Sequence, residues 1–558
     1  MDKVCGDELV FEPRPVHDYF FDSCSRYAER PVADFLGKVW TYRDYAEQVD
    51  QLVPGLQKLG VVPGVRVGLC LPNTPYYTVF YFAILKAGGT VVNFNPLYAL
   101  SELENQIGDS GVRIMVTMDL KLIYDKIERL RASGALDTVV VCPMKSILPT
   151  IKSLLFRFLK AKEVAEIPAD AAHPLFSDLL GNAADAKPVD VDPHETIAVL
   201  QYTGGTTGTP KGAMLTHANL SANIQQMGCI FQHADFGAER MLCVLPFFHV
   251  FAMTAGQNLS ILLGAQMILL PKFELKPLLK SIERTKATLL PGVPTLFTAI
   301  NKSPLAKKTD LSSLTLCLSG GAPLPVEVKT DFEALTGCIL SEGYGLTEAS
   351  PVCVVNPLDQ QSVAGSIGIR LPGMETEFRD LEDRTKCVPK GDKGELCVRG
   401  PQVMRGYWNR PEDTAEVIDE RGFLHTGDVG YEGEGGFIYL VDRIKDLILC
   451  SGYNVYPRVI EEAIYKHESV MECTVIGVPD GYRGQVPKAF VRLKEDKSLT
   501  AAELKVFLRD HLSQIESPRS IEFRDQLPKT IVGKLSKKEL IAEEAAARGG
   551  GSSEPCVP

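Results

Sequence analysis

The sequence has no apolar run long enough to cross a bilayer. The longest ones, such as Tyr76 to Leu85, end after about ten residues, whereas a membrane-spanning helix needs about 20. The first residues, Met1-Asp-Lys-Val-Cys-Gly-Asp, are polar and contain no apolar signal segment. We therefore predict a cytoplasmic protein without a transmembrane helix.

Patterns typical of metal ligands and of nucleic-acid binding are also missing. The 14 cysteines contain no Cys-x-x-Cys pair and the 9 histidines no ligand spacing, so we expect reduced thiols and no structural zinc. The net charge of −11, without Lys/Arg runs interleaved with aromatic residues, argues against nucleic-acid binding. The composition, 45% apolar and 23% charged, is ordinary for a globular protein.

The order of sequence patterns predicts an α/β fold. A chain of 558 residues is too long for one core. From about Val39 to Leu440, β-like runs alternate with helical patterns, which is typical of parallel sheets covered by helices. Short strands with glycine turns after Gly394 predict a smaller β subdomain, and a compact α+β segment follows Asp446.

The segment Thr203-Gly-Gly-Thr-Thr-Gly-Thr-Pro-Lys-Gly212 is the strongest functional signal. Glycines let a backbone approach an anion closely, hydroxyls donate hydrogen bonds, and Lys211 adds positive charge. Such a composition is more often a mobile linker, and the spacing is not that of the P-loop. Because apolar runs begin at Ile197 and Ala213 on either side, we predict a hairpin that holds a polyphosphate. This hairpin suggests an enzyme that consumes ATP.

Four further motifs are weak when taken singly. Glu342-Gly-Tyr-Gly-Leu-Thr-Glu348 offers an aromatic ring for a base and a carboxylate for Mg²⁺. Thr426-Gly-Asp428 and Asp442-x-x-Lys-Asp446 carry aspartates in turns, and Pro528 to Lys534 ends in a lysine after a glycine. Alone, such residues are commonly turn formers or solvated surface.

In this order, the motifs resemble those of the adenylate-forming enzymes, the superfamily of acyl-CoA synthetases, peptide-synthetase adenylation domains and luciferases. The resemblance covers roughly residues 10 to 545. The matching segments are YTGGTTGTPKGAMLTH from Tyr202, EGYGLTEASP from Glu342, GELCVRGPQVMRGYW from Gly394, HTGDVG from His425, VDRIKDLILCSGYNVYP from Val441 and LPKTIVGKL from Leu527.

The resemblance implies a two-step reaction that uses ATP, Mg²⁺ and CoA. A carboxylate attacks the α-phosphate of ATP to form acyl-AMP and pyrophosphate, and the thiol of CoA then displaces AMP. The charge of three phosphates must be neutralised by lysine, Mg²⁺ and backbone donors.

The resemblance also assigns residues by position. Lys534, Thr347 and Glu348 would be catalytic, and Glu348 would also bind Mg²⁺. The implied phosphate ligands are Thr203, Gly204, Gly205, Thr206, Thr207, Gly208 and Lys211. The implied residues around adenine and ribose are Gly343, Tyr344, Gly345, Asp428 and Arg443.

Two domains and a hinge follow from the same resemblance. The implied divisions are an N-terminal adenylation domain over 1–442, a hinge over 443–446 and a small mobile α+β C-terminal domain over 447–545. The low apolar content of the tail over 546–558 predicts disorder. Lys445 matches the hinge residue. One face of the mobile domain would deliver Lys534, and the other would bring Gly452 to the path of CoA.

The implied acyl site is mainly apolar. It comprises Phe248, His249, Val250, Gly256, Gly320, Gly321 and Ala322, with His249 in a positioning or gating role. The segments from Tyr202 and Val441 are most similar to bacterial long-chain fatty acid–CoA ligases, which is the predicted activity. The alternatives are an aryl or medium-chain acid, a carrier-protein acceptor, luciferase-like oxygenation, and a non-catalytic, membrane-peripheral fatty-acid-binding protein.

The segment from Lys145 to Val164 mixes apolar and basic residues and has no acid before Glu163. It predicts a basic amphipathic helix that either contacts an anionic membrane peripherally or docks on the core. The predicted partners are small molecules (fatty acid, ATP and CoA), and the sequence leaves a homodimer open.

Overall fold

The structure is a computed structural model that describes residues 11–203, 210–358, 362–451, 453–480, 482–530 and 533–549. The α-helices are α1 (Val16–Arg26), α2 (Tyr42–Lys58), α3 (Pro75–Lys86), α4 (Leu100–Ser110), α5 (Lys121–Ala132), α6 (Met144–Ile147), α7 (Thr150–Leu159), α8 (His217–Ile230), α9 (Leu259–Leu263), α10 (Leu275–Thr285), α11 (Pro294–Asn301), α12 (Val326–Thr336), α13 (Pro411–Val417), α14 (Pro457–Tyr465), α15 (Ala501–Leu508) and α16 (Lys537–Gly549).

The strands are β1 (Pro31–Phe35), β2 (Lys38–Thr41), β3 (Arg66–Leu69), β4 (Thr90–Asn93), β5 (Ile114–Met118), β6 (Thr138–Cys142), β7 (Ile197–Thr203), β8 (Lys211–Thr216), β9 (Arg240–Cys243), β10 (Gln266–Leu269), β11 (Leu289–Gly292), β12 (Leu316–Ser319), β13 (Ile339–Gly345), β14 (Val352–Val355), β15 (Ile369–Arg370), β16 (Glu375–Arg379), β17 (Gly394–Arg399), β18 (Leu424–Glu432), β19 (Ile438–Arg443), β20 (Ile448–Cys450), β21 (Tyr453–Val455), β22 (Val470–Asp480), β23 (Gly484–Leu493) and β24 (Ser520–Phe523).

Two large sheets organise the N-terminal part of the chain. A six-stranded sheet has the order β6-β5-β3-β4-β7-β8 and is parallel except for the hairpin β7–β8. A nine-stranded sheet has the order β15-β14-β13-β12-β11-β9-β10-β1-β2, with parallel pairing from β13 to β1. A large apolar core includes the fully buried rings of Phe20, Phe80, Phe247 and Phe297. The predicted α/β fold of parallel-rich sheets covered by helices is confirmed.

Two smaller units follow along the chain. The antiparallel sheet β16-β17-β18-β19 is the predicted β subdomain. The sheet β21-β20-β23-β22, with β24 paired to β23, packs with α14 and α15 around a separate apolar core. This second core agrees with the predicted α+β unit, and the exact domain boundaries stay predictions.

The structure differs from the sequence prediction in two segments. Helix α16 extends to Gly549, past the predicted start of the tail, because alanine and glutamate are strong helix formers and Glu544 forms a 2.5 Å ion pair with Lys488. The segment from Lys145 to Val164 is not one helix. The residue before Pro149 takes an extended backbone, which separates α6 from α7.

The predicted motifs lie at the carboxyl ends of strands in both large sheets. Parallel strands place their carboxyl ends side by side, where α/β proteins bind their ligands. Strand β7 ends at Thr203, β12 ends before Gly320, and β13 ends at Gly345. No helix within the described ranges is long and apolar enough to cross a membrane.

Candidate active site

Lys211 stands at the start of β8, where the predicted hairpin returns to the sheet. Thr203 on β7 pairs with it, so the hairpin brings both ends of the motif together. The Lys211 ammonium forms a 2.5 Å ion pair with Asp413 and lies 5.3 Å from the centre of the Tyr407 ring. The tip of the hairpin lies outside the described residues, and with it the predicted ligands Gly204, Gly205, Thr206, Thr207 and Gly208.

Glu348 lies next to this cluster. It follows β13 on the short 3₁₀ turn Thr347–Ala349, and both Thr347 and Glu348 are half-buried. Its Oε1 accepts a 2.7 Å hydrogen bond from the Tyr407 hydroxyl, whereas Oε2 accepts none from the residues that the structure describes. A carboxylate with one uncommitted oxygen suits a hard cation such as Mg²⁺. The residues present therefore fit the predicted metal.

Tyr344 and Asp428 form the other side of the site. The Tyr344 hydroxyl donates a 2.6 Å hydrogen bond to Oδ2 of Asp428, and Nε of Arg443 donates a 2.8 Å bond to its Oδ1. The negative charge of Asp428 raises the pKa of Arg443. Asp428 is only 6% exposed, so its carboxylate is oriented by these two partners.

The glycines beside Tyr344 make room for this arrangement. A Cβ on Gly345 would lie 2.1 Å from the carbonyl oxygen of Pro351, which no larger residue tolerates. A Cβ on Gly343 would be 3.3 Å from the Leu318 side chain. Close packing at the end of β13 thus requires glycine at position 345 and leaves little room for a side chain at position 343.

Lys534 enters the site from the C-terminal part of the chain. It lines a small cavity together with Leu245, Pro246, His249, Phe251, Val293 and Gly321. The Thr295 hydroxyl donates a 2.7 Å hydrogen bond to the carbonyl of Gly533, which holds the lysine turn against α11. Gly321 has φ +80°, and a Cβ there would lie 2.7 Å from Cε of Lys534. A larger residue at this position would have to displace the end of the lysine side chain and adopt a strained backbone.

Burial shifts the protonation of both titratable groups in this cavity. Burial first, and the positive charge of Arg443 second, lower the pKa of Lys534 to about 8, while Asp428 opposes the shift. Burial first, and the charge of Lys534 second, lower the pKa of His249 to about 3. At neutral pH the cavity therefore holds a neutral imidazole beside an ammonium that a bound anion would stabilise.

The predicted acyl residues lie in two facing segments. One contains Phe248, Val250 and Gly256, and the other contains Gly320, Gly321 and Ala322. The segments meet where the Phe251 ring packs on Gly320, since a Cβ there would lie 3.0 Å from Cζ of Phe251. Gly256 belongs to the π-helix Ala252–Asn258, a geometry that is frequent at functional sites.

The hinge and CoA predictions concern the segment between β19 and β21. Lys445 is exposed on the 3₁₀ turn Ile444–Asp446, directly after the β subdomain. Gly452 lies outside the described residues. The roles of both residues stay predictions.

Sequence reasoning missed two residues that link the phosphate and metal motifs. Tyr407 contacts both Lys211 and Glu348, and Asp413 pairs with Lys211. Tyr407 reaches the site because residues 405–408 form backbone hydrogen bonds with β8, and Asp413 follows on α13. Tyr407 belongs to the motif that begins at Gly394, but its local sequence carries no sign of these partners.

A second ligand-like group lies in the β subdomain. Glu395, Cys397 and His425 hold candidate ligand atoms within 4.8 Å of one another, although their spacing along the chain is not typical of a metal site. Nδ1 of His425 lies 2.8 Å from Oε2 of Glu395 and 3.3 Å from Sγ of Cys397. The three groups satisfy each other, and we assign no metal to them.

Comparison with known proteins places these features in a family. The family model of the AMP-binding enzyme matches residues 20–408, and that of the AMP-binding enzyme C-terminal domain matches residues 459–534. The long-chain-fatty-acid–CoA ligase of Bacillus subtilis (strain 168) is 42% identical over 541 residues, which is 96% of each chain. Feruloyl-CoA synthase of Amycolatopsis sp is 35% identical over 507 residues, 90% of this chain and 94% of that one.

Solved structures agree with the sequence relatives. A crystal structure of ATP-bound MatB from Rhodopseudomonas palustris superposes with a TM-score of 0.82 at 29% identity, covering 95% of this chain and 98% of that one. The predicted resemblance to the adenylate-forming superfamily is confirmed. From its hairpin, its strand-end motifs and its near full-length matches, this chain belongs to the AMP-binding enzyme family.

Proposed function

We propose that this protein is an ATP-dependent long-chain fatty acid–CoA ligase. The observation that carries the proposal is that Lys534, from the C-terminal part of the chain, lines one cavity with His249 and Phe251 of the acyl segment. The cavity lies beside the ends of β11 and β12, since Val293 and Gly321 line it, and the charges of Asp428 and Arg443 act on Lys534. The name of the Bacillus relative supports the choice of acid.

In the first step, a carboxylate oxygen attacks the α-phosphate of ATP to give acyl-AMP and pyrophosphate. Lys534 would contact both groups where negative charge develops, and such preorganised donors act most strongly in a site that excludes water. Lys211 would exchange Asp413 for the β- and γ-phosphates. Asp428 would accept hydrogen bonds from the ribose hydroxyls.

The metal would be held by the Glu348 carboxylate, beside the hydroxyl of Thr347. When bound, Mg²⁺ supplies positive charge that neutralises the phosphates. Tyr407 orients the Glu348 carboxylate through its 2.7 Å hydrogen bond, so it is a positioning residue for the metal ligand.

The second step requires the CoA thiol to reach acyl-AMP. Lys534 and its turn occupy the site in this structure, held by the bond between Thr295 and Gly533. Rotation about Lys445 would break that bond and bring the side of the domain that carries Gly452 to the site.

The lining of the acyl segment favours an alkyl chain. Each buried methylene contributes about 0.8 kcal/mol, so an apolar tunnel ranks acids by length. The second candidate is an aryl acid. The aromatic rings of Phe248 and Phe251 favour it, and so does the name of the Amycolatopsis relative.

The test is pyrophosphate release with Mg-ATP and acetate, octanoate, palmitate, oleate or coumarate, each with and without CoA. We expect turnover to peak at palmitate or oleate and to require CoA. A peak at coumarate would support the same two-step mechanism with an aryl acid as the substrate. Acyl-chain binding without pyrophosphate release from any acid would return the protein to the non-catalytic alternative.

We also propose that α7 contacts an anionic membrane, because its apolar face points away from the protein. That face has helical spacing, is 51–76% exposed, and consists of Ile151, Leu154, Leu155, Phe158 and Leu159. The opposite face holds Phe156, which packs on the core, and Ser153, whose hydroxyl bonds the Lys145 carbonyl. The adjoining basic residues are Lys152, Arg157, Lys160 and Lys162. An apolar face with basic flanks is the chemistry of a lipid-surface helix.

Sedimentation with phosphatidylglycerol vesicles tests this contact. The double change Leu154→Asp and Phe158→Asp should abolish binding, whereas Leu122→Asp on α5, where the leucine is 70% exposed, should not. Equal vesicle binding by the wild type, the double variant and Leu122→Asp would refute the role of α7. The homodimer and the cytoplasmic location stay predictions.

A further inference from the structure

A second cavity lies beside the exposed helix. It has a volume of about 220 Å³ and opens between β2, α2, α3, α6 and the segment after residue 175. Its walls are apolar or aromatic and consist of Trp40, Pro75, Tyr76, Pro143, Ile147 and Phe176. Apolar cavities of about 150 Å³ already bind benzene-sized molecules, so this one has room for a segment of an alkyl chain.

The wall of the cavity is rigidly built. The rings of Tyr76 and Phe176 meet edge to face at 4.9 Å, and the Tyr76 hydroxyl donates a 3.1 Å hydrogen bond to the carbonyl of Pro143. Trp40 and Ile147 are buried. A wall that is already ordered binds an apolar chain without the entropy cost of ordering its side chains.

The rim of the cavity is polar and carries one cation. Gln48, Ser146 and Ser177 also line the cavity, and the two serines are exposed. Lys38 touches two of the lining residues, since its ammonium donates a 2.7 Å hydrogen bond to the carbonyl of Ser146 and lies 5.0 Å from the Trp40 ring. An apolar pocket with an ammonium at its rim matches an apolar chain that ends in a carboxylate.

This cavity is separate from the active site and adjacent to α7. None of its lining residues lines the cavity of Lys534. Helix α3 lies between the two regions: Tyr76 faces this cavity, and the next residue, Tyr77, donates a 2.9 Å hydrogen bond to the carbonyl of Phe247 in the acyl segment. Ile147 ends α6, and only Leu148 and Pro149 separate it from α7.

We propose that this cavity is a non-catalytic reception site for a free fatty acid, filled from the lipid surface that α7 contacts. The chain would lie among Trp40, Tyr76 and Phe176, with its carboxylate at Lys38. The inference rests on the proposed function, because an enzyme that uses fatty acids gains from holding one near the membrane.

The fluorescence of Trp40 can report binding in this cavity, since the chain has only 2 tryptophans. In the Trp408→Phe variant, Trp40 is the sole indole and bromine atoms of a bound fatty acid quench it on contact. We expect saturable quenching by a brominated stearic acid, which persists when a non-hydrolysable acyl-adenylate analogue fills the active site. If Trp408→Phe does not fold, quenching is measured in the wild type and in Trp40→Phe instead. The part of the wild-type quenching that Trp40→Phe lacks is then the signal of Trp40.

Two variants test the chemistry of the site. Ser146→Phe, at an exposed position beside the cavity, should weaken the apparent affinity about tenfold, which is the effect of excluding two methylene groups. Ser133→Phe, at an exposed position directly after α5, should not. Lys38→Gln should remove the preference for the brominated acid over its methyl ester. With vesicles as the source of palmitate, Ser146→Phe should also slow acyl-CoA formation.

The outcomes separate this inference from the proposed function. Absence of saturable Trp40 quenching, in a preparation that converts the same acid to its CoA ester, refutes the reception site and leaves the ligase standing. Quenching that disappears with the acyl-adenylate analogue refutes it as well, because the acid then binds only at the active site. Quenching without any product refutes the proposed ligase instead.

Discussion

Replacing Lys534 by alanine should separate the two half-reactions. The pKa of Lys534 is lowered to about 8 from its usual 10.5, so the protein alone disfavours the ammonium by about 3 kcal/mol. The anionic carboxylate and α-phosphate would supply the missing stabilisation. Removing one such preorganised donor typically slows the chemical step about 100- to 1,000-fold. We expect this loss in pyrophosphate release, and less than a tenfold change in thioester formation from supplied acyl-AMP and CoA.

Lys529→Ala is the matched control for this experiment. Lys529 lies in the same turn, but its ammonium forms a 2.6 Å ion pair with Glu472 and lies away from the cavity. Its replacement should change neither half-reaction by more than a few fold. Equal losses of both half-reactions in Lys534→Ala would refute the assignment of Lys534 to the first step alone.

Three further predictions follow from the same geometry. Gly321→Ala places a Cβ 2.7 Å from Cε of Lys534, on a backbone with φ +80°. Pyrophosphate release should therefore fall at least tenfold, while acyl transfer from supplied acyl-AMP to CoA persists. Equal losses of the two half-reactions would contradict this. Tyr407→Phe frees the Glu348 carboxylate and should raise the Mg²⁺ concentration needed for half-maximal rate about 10-fold or more, and an unchanged Mg²⁺ titration would exclude the positioning role. Burial raises the pKa of Glu342 to about 7 from 4.5. Because the unfolded chain then releases a proton that the folded one keeps, wild-type stability should decline between pH 4.5 and 7, and Glu342→Gln should lack this decline in urea midpoints measured across that range.

Local pattern was sufficient for the fold class and for the chemistry of the motifs. Alternating strand and helix signals predicted the parallel sheets, because each signal reports the backbone and burial of its own segment. The Gly/Thr-rich segment between two apolar runs predicted the hairpin that pairs Thr203 with Lys211.

Only the tertiary structure decided which side chains meet. The contacts of Tyr407 with Lys211 and Glu348 join three distant parts of the chain, and no local signal marks them. The lowered pKa of Lys534 arises from burial against residues of the N-terminal part, which cannot be read from its own segment.

The same division holds for the basic segment around α7. Its periodicity showed that the helix has an apolar face, because that depends only on residue spacing. Whether the face meets the core or the solvent depends on where Pro149 turns the chain and on which side Phe156 finds its partners. The sequence thus determined the amphipathic character, and packing between distant segments determined its outward orientation and the cavity beside it.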